Sequence, residues 1–355
     1  MRLLALFGLV LGLAGPAAAQ GWPVTEGDVI LSDFAFSDGE TLSELRMHYR
    51  TLGTPRRDAD GTITNAVMVL HGTGGSGAQF LQPQFADELY SPGQPLDIER
   101  YYVILPDNIG HGASSRPSDG MRAAFPEYGY ADMVEAQRRM LVDGLGVTRL
   151  RLLMGTSMGC MHAFMWGEAH PDFAQALMPL ACQPTEIAGR NRLWRAMLMD
   201  AIRSDPAWMG GDYESQPVEG LRTAADLLML AGAAPMQMQE MLPTREATDA
   251  WLAEQLPRRI GGLDANDLWY QVNASRDYDP SAGLEAITAP MTWINSADDF
   301  INPPELGLAE QFAPRLATAR YVLIPATAET RGHGTHTWAR FWKDELIDLL
   351  ERSEP

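Results

Sequence analysis

The stretch RLLMGTSMGCMHAF, Arg151 to Phe164, sets one serine between two glycines, and Gly155-Thr156-Ser157-Met158-Gly159 fits the pattern G-x-S-x-G. Five residues alone are a weak pattern, and the flanks give it weight. The apolar run RLRLLM before it reads as a buried strand, and MHAFMWGEAH after it carries apolar residues at helical spacing. A serine on a sharp strand-to-helix turn is held in strained backbone geometry, and glycines permit the close packing around it. The helix that follows starts below the hydroxyl, where its dipole favours developing negative charge. Ser157 is therefore the candidate nucleophile.

A serine hydroxyl needs a histidine base, itself oriented by a carboxylate. On a strand-turn-helix of this type the chain order is serine, acid, histidine. WINSADDFINPP closes a predicted strand with Asp298 and Asp299, and ETRGHGTHTW supplies His333 and His336 after the last predicted strand. Asp299, with Pro303 four residues on, is the preferred acid, which leaves Asp298 as a solvated loop acid. His333, between Gly332 and Gly334, is the preferred base, which leaves His336 as a loop histidine. Acyl transfer builds negative charge on a carbonyl oxygen, so two backbone donors are expected to face it. Met158 N–H is one, and Thr73 N–H in HGTGGSG (His71 to Gly77) is the other. That loop lacks the lysine of a phosphate-binding P-loop. His111, in DNIGHGASSRP, precedes the serine and reads as part of a structural loop. The seven histidines show no H-x-x-x-H or H-E-x-x-H spacing, so neither metal nor cofactor is expected.

The apolar runs beginning at Asn65, Tyr101, Arg149, Ala176, Ala289 and Ala319 read as buried strands. They alternate with helical segments such as YADMVEAQRRMLVDGLGV and FWKDELIDLLER. This alternation predicts an α/β fold, a mostly parallel sheet with helices on both faces. From about Pro184 to Leu284 no strand is apparent, and the segment reads as an inserted helical cap. The expected organisation is a signal peptide over 1–19, a core over 20–183 and 286–355, and the cap over 184–285. Met197, Met199, Met229, Met236, Met238 and Met241 in the cap suit either core filling or an adaptable pocket wall.

With 46 acidic against 27 basic residues the net charge is −19. No dense basic cluster offsets it, which argues against nucleic acid or anionic membranes as partners. Met1-Arg2, an apolar run from Leu3 to Ala14 and an Ala-x-Ala site at Ala17 to Ala19 form a cleavable secretory signal, so a periplasmic or secreted protein is expected. No later run is long enough to span a membrane. Cys160 and Cys182, the two cysteines, fit either a disulfide in an oxidising compartment or two buried thiols.

The order of YRTLGTPRRDADGTITNAVMVLHG, the DMVEAQ-to-MHAFMW stretch, AIRSDPAWMGGDY, LDANDLWYQVNASRDYDPS and GHGTHTW resembles the homoserine O-acetyltransferase family of α/β-hydrolases. The resemblance runs from about Leu45 to near the C-terminus. It implies the α/β-hydrolase fold, with Ser157, Asp299 and His333 as catalytic residues and a homodimer formed through the cap. The departures bear on substrate. The family typically has aspartate after the catalytic histidine, where this chain has Gly334. It tends to carry arginine before the Ala-Ile pair of the first cap helix, where this chain has Met199 and Asp200. The loop HGTGGSG stands where HALTG is usual. A neutral or apolar pocket is therefore expected at Gly334 and Met199. A signal peptide would also separate the protein from cytosolic acetyl-CoA. The expected activity is an exported serine hydrolase that cleaves a small carboxylic ester with water as acceptor. The alternative is an acyltransferase moving acetyl from acetyl-CoA to a hydroxyl, and a non-catalytic binding protein would require a broken triad.

Overall fold

The structure is a computed structural model that describes residues 21–354; the expected signal peptide lies outside these residues. Eight strands form one sheet: β1 (Thr25–Ala35), β2 (Thr41–Leu52), β3 (Ala66–Leu70), β4 (Tyr102–Pro106), β5 (Leu152–Thr156), β6 (Leu177–Leu180), β7 (Met291–Ser296) and β8 (Ala319–Ile324). Their order is β1-β2-β4-β3-β5-β6-β7-β8. From β4 to β8 every pairing is parallel, whereas β1 pairs antiparallel with β2 and β2 antiparallel with β4. The six runs expected as strands are β3 to β8. In β3, β5, β6 and β7 every residue is buried, as a strand covered on both faces requires. The edge hairpin of β1 and β2 was not anticipated. TEGDVILSDFA exposes most of its residues, and its polar positions hide the apolar alternation.

Alternate residues of β3 serve two cores. Met68 and Leu70 pack on one side of the sheet, and Val67 and Val69 on the other. The first side is covered by α2 (Tyr130–Arg139) and α3 (Met158–Ala169). The second is covered by α1 (Pro83–Leu89) and the C-terminal helix Lys343–Arg352. Between β6 and β7 lie α4 (Gly189–Ser204), α5 (Val218–Ala231), α6 (Pro235–Met241), α7 (Arg245–Gly261) and α8 (Ala265–Asn273), with no strand among them. A short α9 (Leu308–Phe312) precedes β8, and Lys343–Arg352 is α10. Cys160 on α3 and Cys182 just after β6 form a disulfide, with Cα atoms 5.8 Å apart. No helix among the described residues is long and apolar enough to cross a membrane.

The loops that leave the carboxyl ends of β3, β5, β7 and β8 carry His71–Gly77, Ser157, Asp298–Asp299 and His333 in turn. In an open parallel sheet the strand ends and helix N-termini gather at this edge, so loops from distant parts of the chain meet there.

Candidate active site

Ser157 sits on the turn between β5 and α3 with φ 54° and ψ −110°, a conformation that costs a β-carbon-bearing residue on the order of 1–3 kcal/mol. The surroundings enforce it. Ser157 N–H donates to Leu180 O at 2.8 Å, and Gly159 N–H donates to His71 O at 3.0 Å. Both glycines of the motif are needed for space. A β-carbon on Gly155 would lie 1.9 Å from Gly159 O, and one on Gly159 would lie 2.2 Å from Leu70 O.

His333 reaches Ser157 from the loop after β8. Ser157 Oγ–H donates to His333 Nε2 at 2.8 Å, and His333 Nδ1–H donates to Asp299 Oδ2 at 2.8 Å. Asp299 is 2% exposed and also accepts from Ile301 N–H at 2.7 Å and Asn302 Nδ2 at 3.0 Å. Burial alone would raise the pKa of this carboxyl. The facing His333 ring and the three hydrogen bonds outweigh that effect and hold it below the usual value. Asp299 thus stays ionised and fixes the proton of His333 on Nδ1, leaving Nε2 free to accept from the serine.

Asp298 is not the solvated acid expected from sequence. It is partly buried, and its carboxylate accepts from Ser296 Oγ at 2.5 Å, Thr330 Oγ1 at 2.7 Å and Gly332 N–H at 3.1 Å. It ties the end of β7 to the residue before His333. His336 packs edge-on against the His333 ring, with centroids 5.1 Å apart, and burial lowers its pKa to about 3. His336 is therefore a neutral packing partner of His333.

Met158 opens α3, where the first N–H groups lack helical acceptors. The loop bearing Thr73 presses on Ser157, since a β-carbon on Gly72 would lie 3.1 Å from the Ser157 β-carbon.

One cavity of about 1120 Å³ opens at Ser157 and His333 and continues under the α4–α6 helices, where Leu230, Pro235 and Met238 line it. Neither Gly334 nor Met199 is among its lining residues, contrary to the expectation for both. Met199 is turned into the core beneath α4 and is 8% exposed, while a β-carbon on Gly334 would touch only Arg331, at 3.6 Å. The other cap methionines divide between the two readings: Met238 lines the cavity, whereas Met197 and Met236 face outward. Nor is the cavity uniformly neutral, because Arg195, one turn before Met199 on α4, lines it.

The family described as alpha/beta hydrolase fold matches residues 65–329. The chain belongs to this family. Within it, the chain is 30% identical over 277 residues to a protein described as a probable acyltransferase from Methanothermobacter thermautotrophicus, covering 78% of this chain and 83% of the relative. It is 29% identical over 317 residues to a homoserine O-acetyltransferase of Pelobacter propionicus, covering 79% and 84%. The crystal structure of esterase E22 superposes with a TM-score of 0.79 at 20% identity, over 92% of this chain and all (100%) of the other. This α/β-hydrolase is homoserine O-acetyltransferase-like in sequence and has esterases among its structural neighbours.

A buried histidine cluster under the site of this α/β-hydrolase was not recognised from sequence. His71 Nε2 accepts from Asn108 N–H at 3.0 Å, so its proton is on Nδ1, which donates to Gly72 O at 2.9 Å. Gly75 N–H donates to the same carbonyl at 3.0 Å. The Gly72 carbonyl and the Thr73 N–H belong to one trans peptide and point in opposite directions. Clamping the carbonyl therefore fixes the direction of the Thr73 N–H. Asn108 is held in turn by Gln137, which also contacts His162 Nδ1 and accepts from Trp166 Nε1. Burial lowers the pKa of His71 to about 4 and of His111 to about 3, and pushes that of His162 well down, so all three are neutral near pH 7. The only sequence cue was His71 opening the glycine-rich loop, since its side-chain partner Asn108 lies 37 residues away.

Proposed function

We propose that this α/β-hydrolase is an exported serine esterase that cleaves a small carboxylic ester through an acyl-enzyme and releases the acid to water. The observation that carries the reading is the pair of 2.8 Å contacts from Ser157 through His333 to a buried, ionised Asp299, at the mouth of a cavity. Ser157 Oγ attacks the ester carbonyl while its proton passes to His333 Nε2. The oxyanion forms against the N–H groups of Thr73 and Met158. Collapse expels the alcohol, which takes the proton from His333. Water then gives a proton to His333 and attacks the acyl carbon, and Ser157 recovers its hydrogen as the acid leaves.

The position after the histidine is Gly334, with no side chain to hold an amino group, which supports water over an amino-acid acceptor. The N-terminal segment supports export, away from acetyl-CoA. The second reading, acyl transfer onto a hydroxyl such as homoserine, is favoured by the names of the sequence relatives. Hydrolysis of a short-chain 4-nitrophenyl ester by the purified protein tests the first reading. The Ser157→Ala variant is expected to lose about 10⁴-fold or more in turnover. Undiminished turnover by that variant would overturn the assignment. Acetyl-CoA with homoserine tests the second: robust O-acetylhomoserine, with little thioester hydrolysis when homoserine is omitted, would replace the esterase reading.

A further inference from the structure

Ser157 and Asp299 follow different strands, β5 and β7, and both are tied to the end of the strand between them, β6. Ser157 N–H donates to Leu180 O at 2.8 Å. Asn302 Nδ2–H donates to the next carbonyl, Ala181 O, at 3.0 Å, and the second hydrogen on Nδ2 goes to Asp299 Oδ2, also at 3.0 Å. Two acceptors around one nitrogen fix which end of the amide is which, because the amide oxygen could donate to neither. Asn302 is 4% exposed and makes no hydrogen bond to Ser157 or His333 among the described residues.

The Asp299 carboxylate has few other supports. Its Oδ1 accepts from Ile301 N–H at 2.7 Å, a bond within one loop that does not set where the loop lies over the sheet. Its Oδ2 is shared by the Asn302 amide and His333 Nδ1–H. Asn302 sits on the same loop, but its second bond crosses to β6 and carries the position of that strand end to the carboxylate. The strand end is itself held from several sides. Ala181 has φ 67°, a left-handed conformation that residues with a β-carbon rarely adopt and that the surroundings must impose. Its N–H donates to Ile294 O at 2.8 Å, and Cys182 O accepts from Trp293 Nε1 at 2.9 Å. The Cys160–Cys182 disulfide then joins the residue after Ala181 to α3, the helix that Ser157 precedes.

We propose that Asn302 is a positioning residue that aligns Asp299, and through it His333, with Ser157 by bonding the acid to the disulfide-braced end of β6. The inference rests on Ser157 being the activated nucleophile, which ester hydrolysis and acyl transfer share, and not on the choice of acceptor. Asn302 makes no hydrogen bond to a reacting atom, and no covalent step is added. Its bond to Asp299 draws charge from the oxygen that faces His333. Without that bond the oxygen would hold an imidazolium more strongly, so the protonated, inactive form of the site would persist to higher pH.

The test is Asn302→Leu, which nearly keeps the side-chain volume and removes both donors. It is read by hydrolysis of 4-nitrophenyl acetate and by fluorophosphonate labelling of Ser157, each across pH. We expect kcat and the labelling rate to fall about 10- to 100-fold, with KM nearly unchanged. The acid limb of kcat/KM should move up by about 0.5 to 1 pH unit, since part of the worth of a hydrogen bond to a charged group is felt at the neighbouring ring. Plain loosening of the site would lower the rate at every pH and leave the limb in place. Removing the bridge with Cys160→Ala, Cys182→Ala should slow labelling in the wild-type background and add little in Asn302→Leu. An unchanged kcat, an unmoved limb or additive effects of the two changes would overturn the proposal. If Asn302→Leu does not fold, Asn302→Ala is read by the same criteria. Wild-type protein that cleaves the ester no better than a folded Asn302→Leu sinks the positioning role alone. Wild-type protein that labels but cleaves no ester sinks the esterase reading alone, and the pH dependence of labelling then decides the role of Asn302. Wild-type protein that does neither sinks both.

Discussion

Ser157, His333 and Asp299 lie far apart in sequence and meet through two contacts of 2.8 Å. Asp299→Asn keeps the shape but reverses the donor preference toward His333 Nδ1, so the imidazole would hold its proton on the wrong nitrogen. We expect kcat to fall about 10⁴-fold, as measured by ester hydrolysis, with the thermal midpoint little changed. Asp298→Asn should act differently. It weakens the tie to Thr330 and Gly332 that sets the position of His333. The expected loss is about 10- to 100-fold in kcat with KM nearly unchanged, together with slower labelling of Ser157 by a fluorophosphonate. Equal kcat in Asp298→Asn and wild type would show that the tie has no catalytic consequence. Pro303, four residues on, was the sequence's ground for preferring Asp299 to Asp298, and Asp299 is the one whose carboxylate contacts His333. The work of Asp298 was not legible, because its partners come from a loop more than thirty residues away that sequence reading places no closer than any other. For the same reason the hydrogen bonds of His71 were not legible, and Met199, placed at the pocket by resemblance alone, lies in the core.

At the scale of elements, β3 to β7 were visible because a strand covered on both faces is written as an unbroken apolar run, and the edge strand β8 because YVLI keeps such a run although most of it is not buried. The β1–β2 hairpin was not visible, because an exposed edge needs few apolar residues. The join between α3 and the segment after β6 was only a possibility in the sequence, and it is a disulfide with Cα atoms 5.8 Å apart. Cys160 lies three residues beyond Ser157, and Cys182 follows Ala181, a positive-φ residue that lines the cavity. The bridge closes a loop with a sequence separation of 22. Closing a loop of that size constrains the unfolded chain by about 3 kcal/mol in the chain-entropy account. The Cys160→Ala, Cys182→Ala double variant is therefore expected to unfold at lower denaturant than the oxidised protein. An unchanged midpoint would show that the bridge adds nothing to stability.

Across the whole molecule, the buried histidines make stability depend on pH. His71, His111 and His162 are all at most 1% exposed, and burial depresses each pKa. Once unfolded, each would bind a proton at pH values below about 6.5, while the folded protein would not. Acid therefore favours the unfolded chain, by up to about 1.4 kcal/mol per histidine per pH unit until the folded pKa is reached. Asp267 opposes the trend, since burial raises its pKa to about 6, so that its folded form binds the extra proton. Glu168, raised by burial, opposes it too, whereas His336, lowered by burial to about 3, adds to it, and the histidines outweigh the carboxyls. Differential scanning calorimetry is expected to show the thermal midpoint falling steeply from about pH 6.5 to about pH 4.5, and a flat profile would contradict the neutral cluster.

All these scales converge on whether Ser157 carries the acyl group and passes it to water. The direct measurement is peptide mass spectrometry of protein quenched in acid at intervals after mixing with 4-nitrophenyl acetate. One acetyl group is expected on Ser157, lost in plain buffer at the rate of steady turnover. Turnover with no acetyl on Ser157, or an acetyl-Ser157 that persists until a hydroxyl acceptor such as homoserine is added, would contradict it.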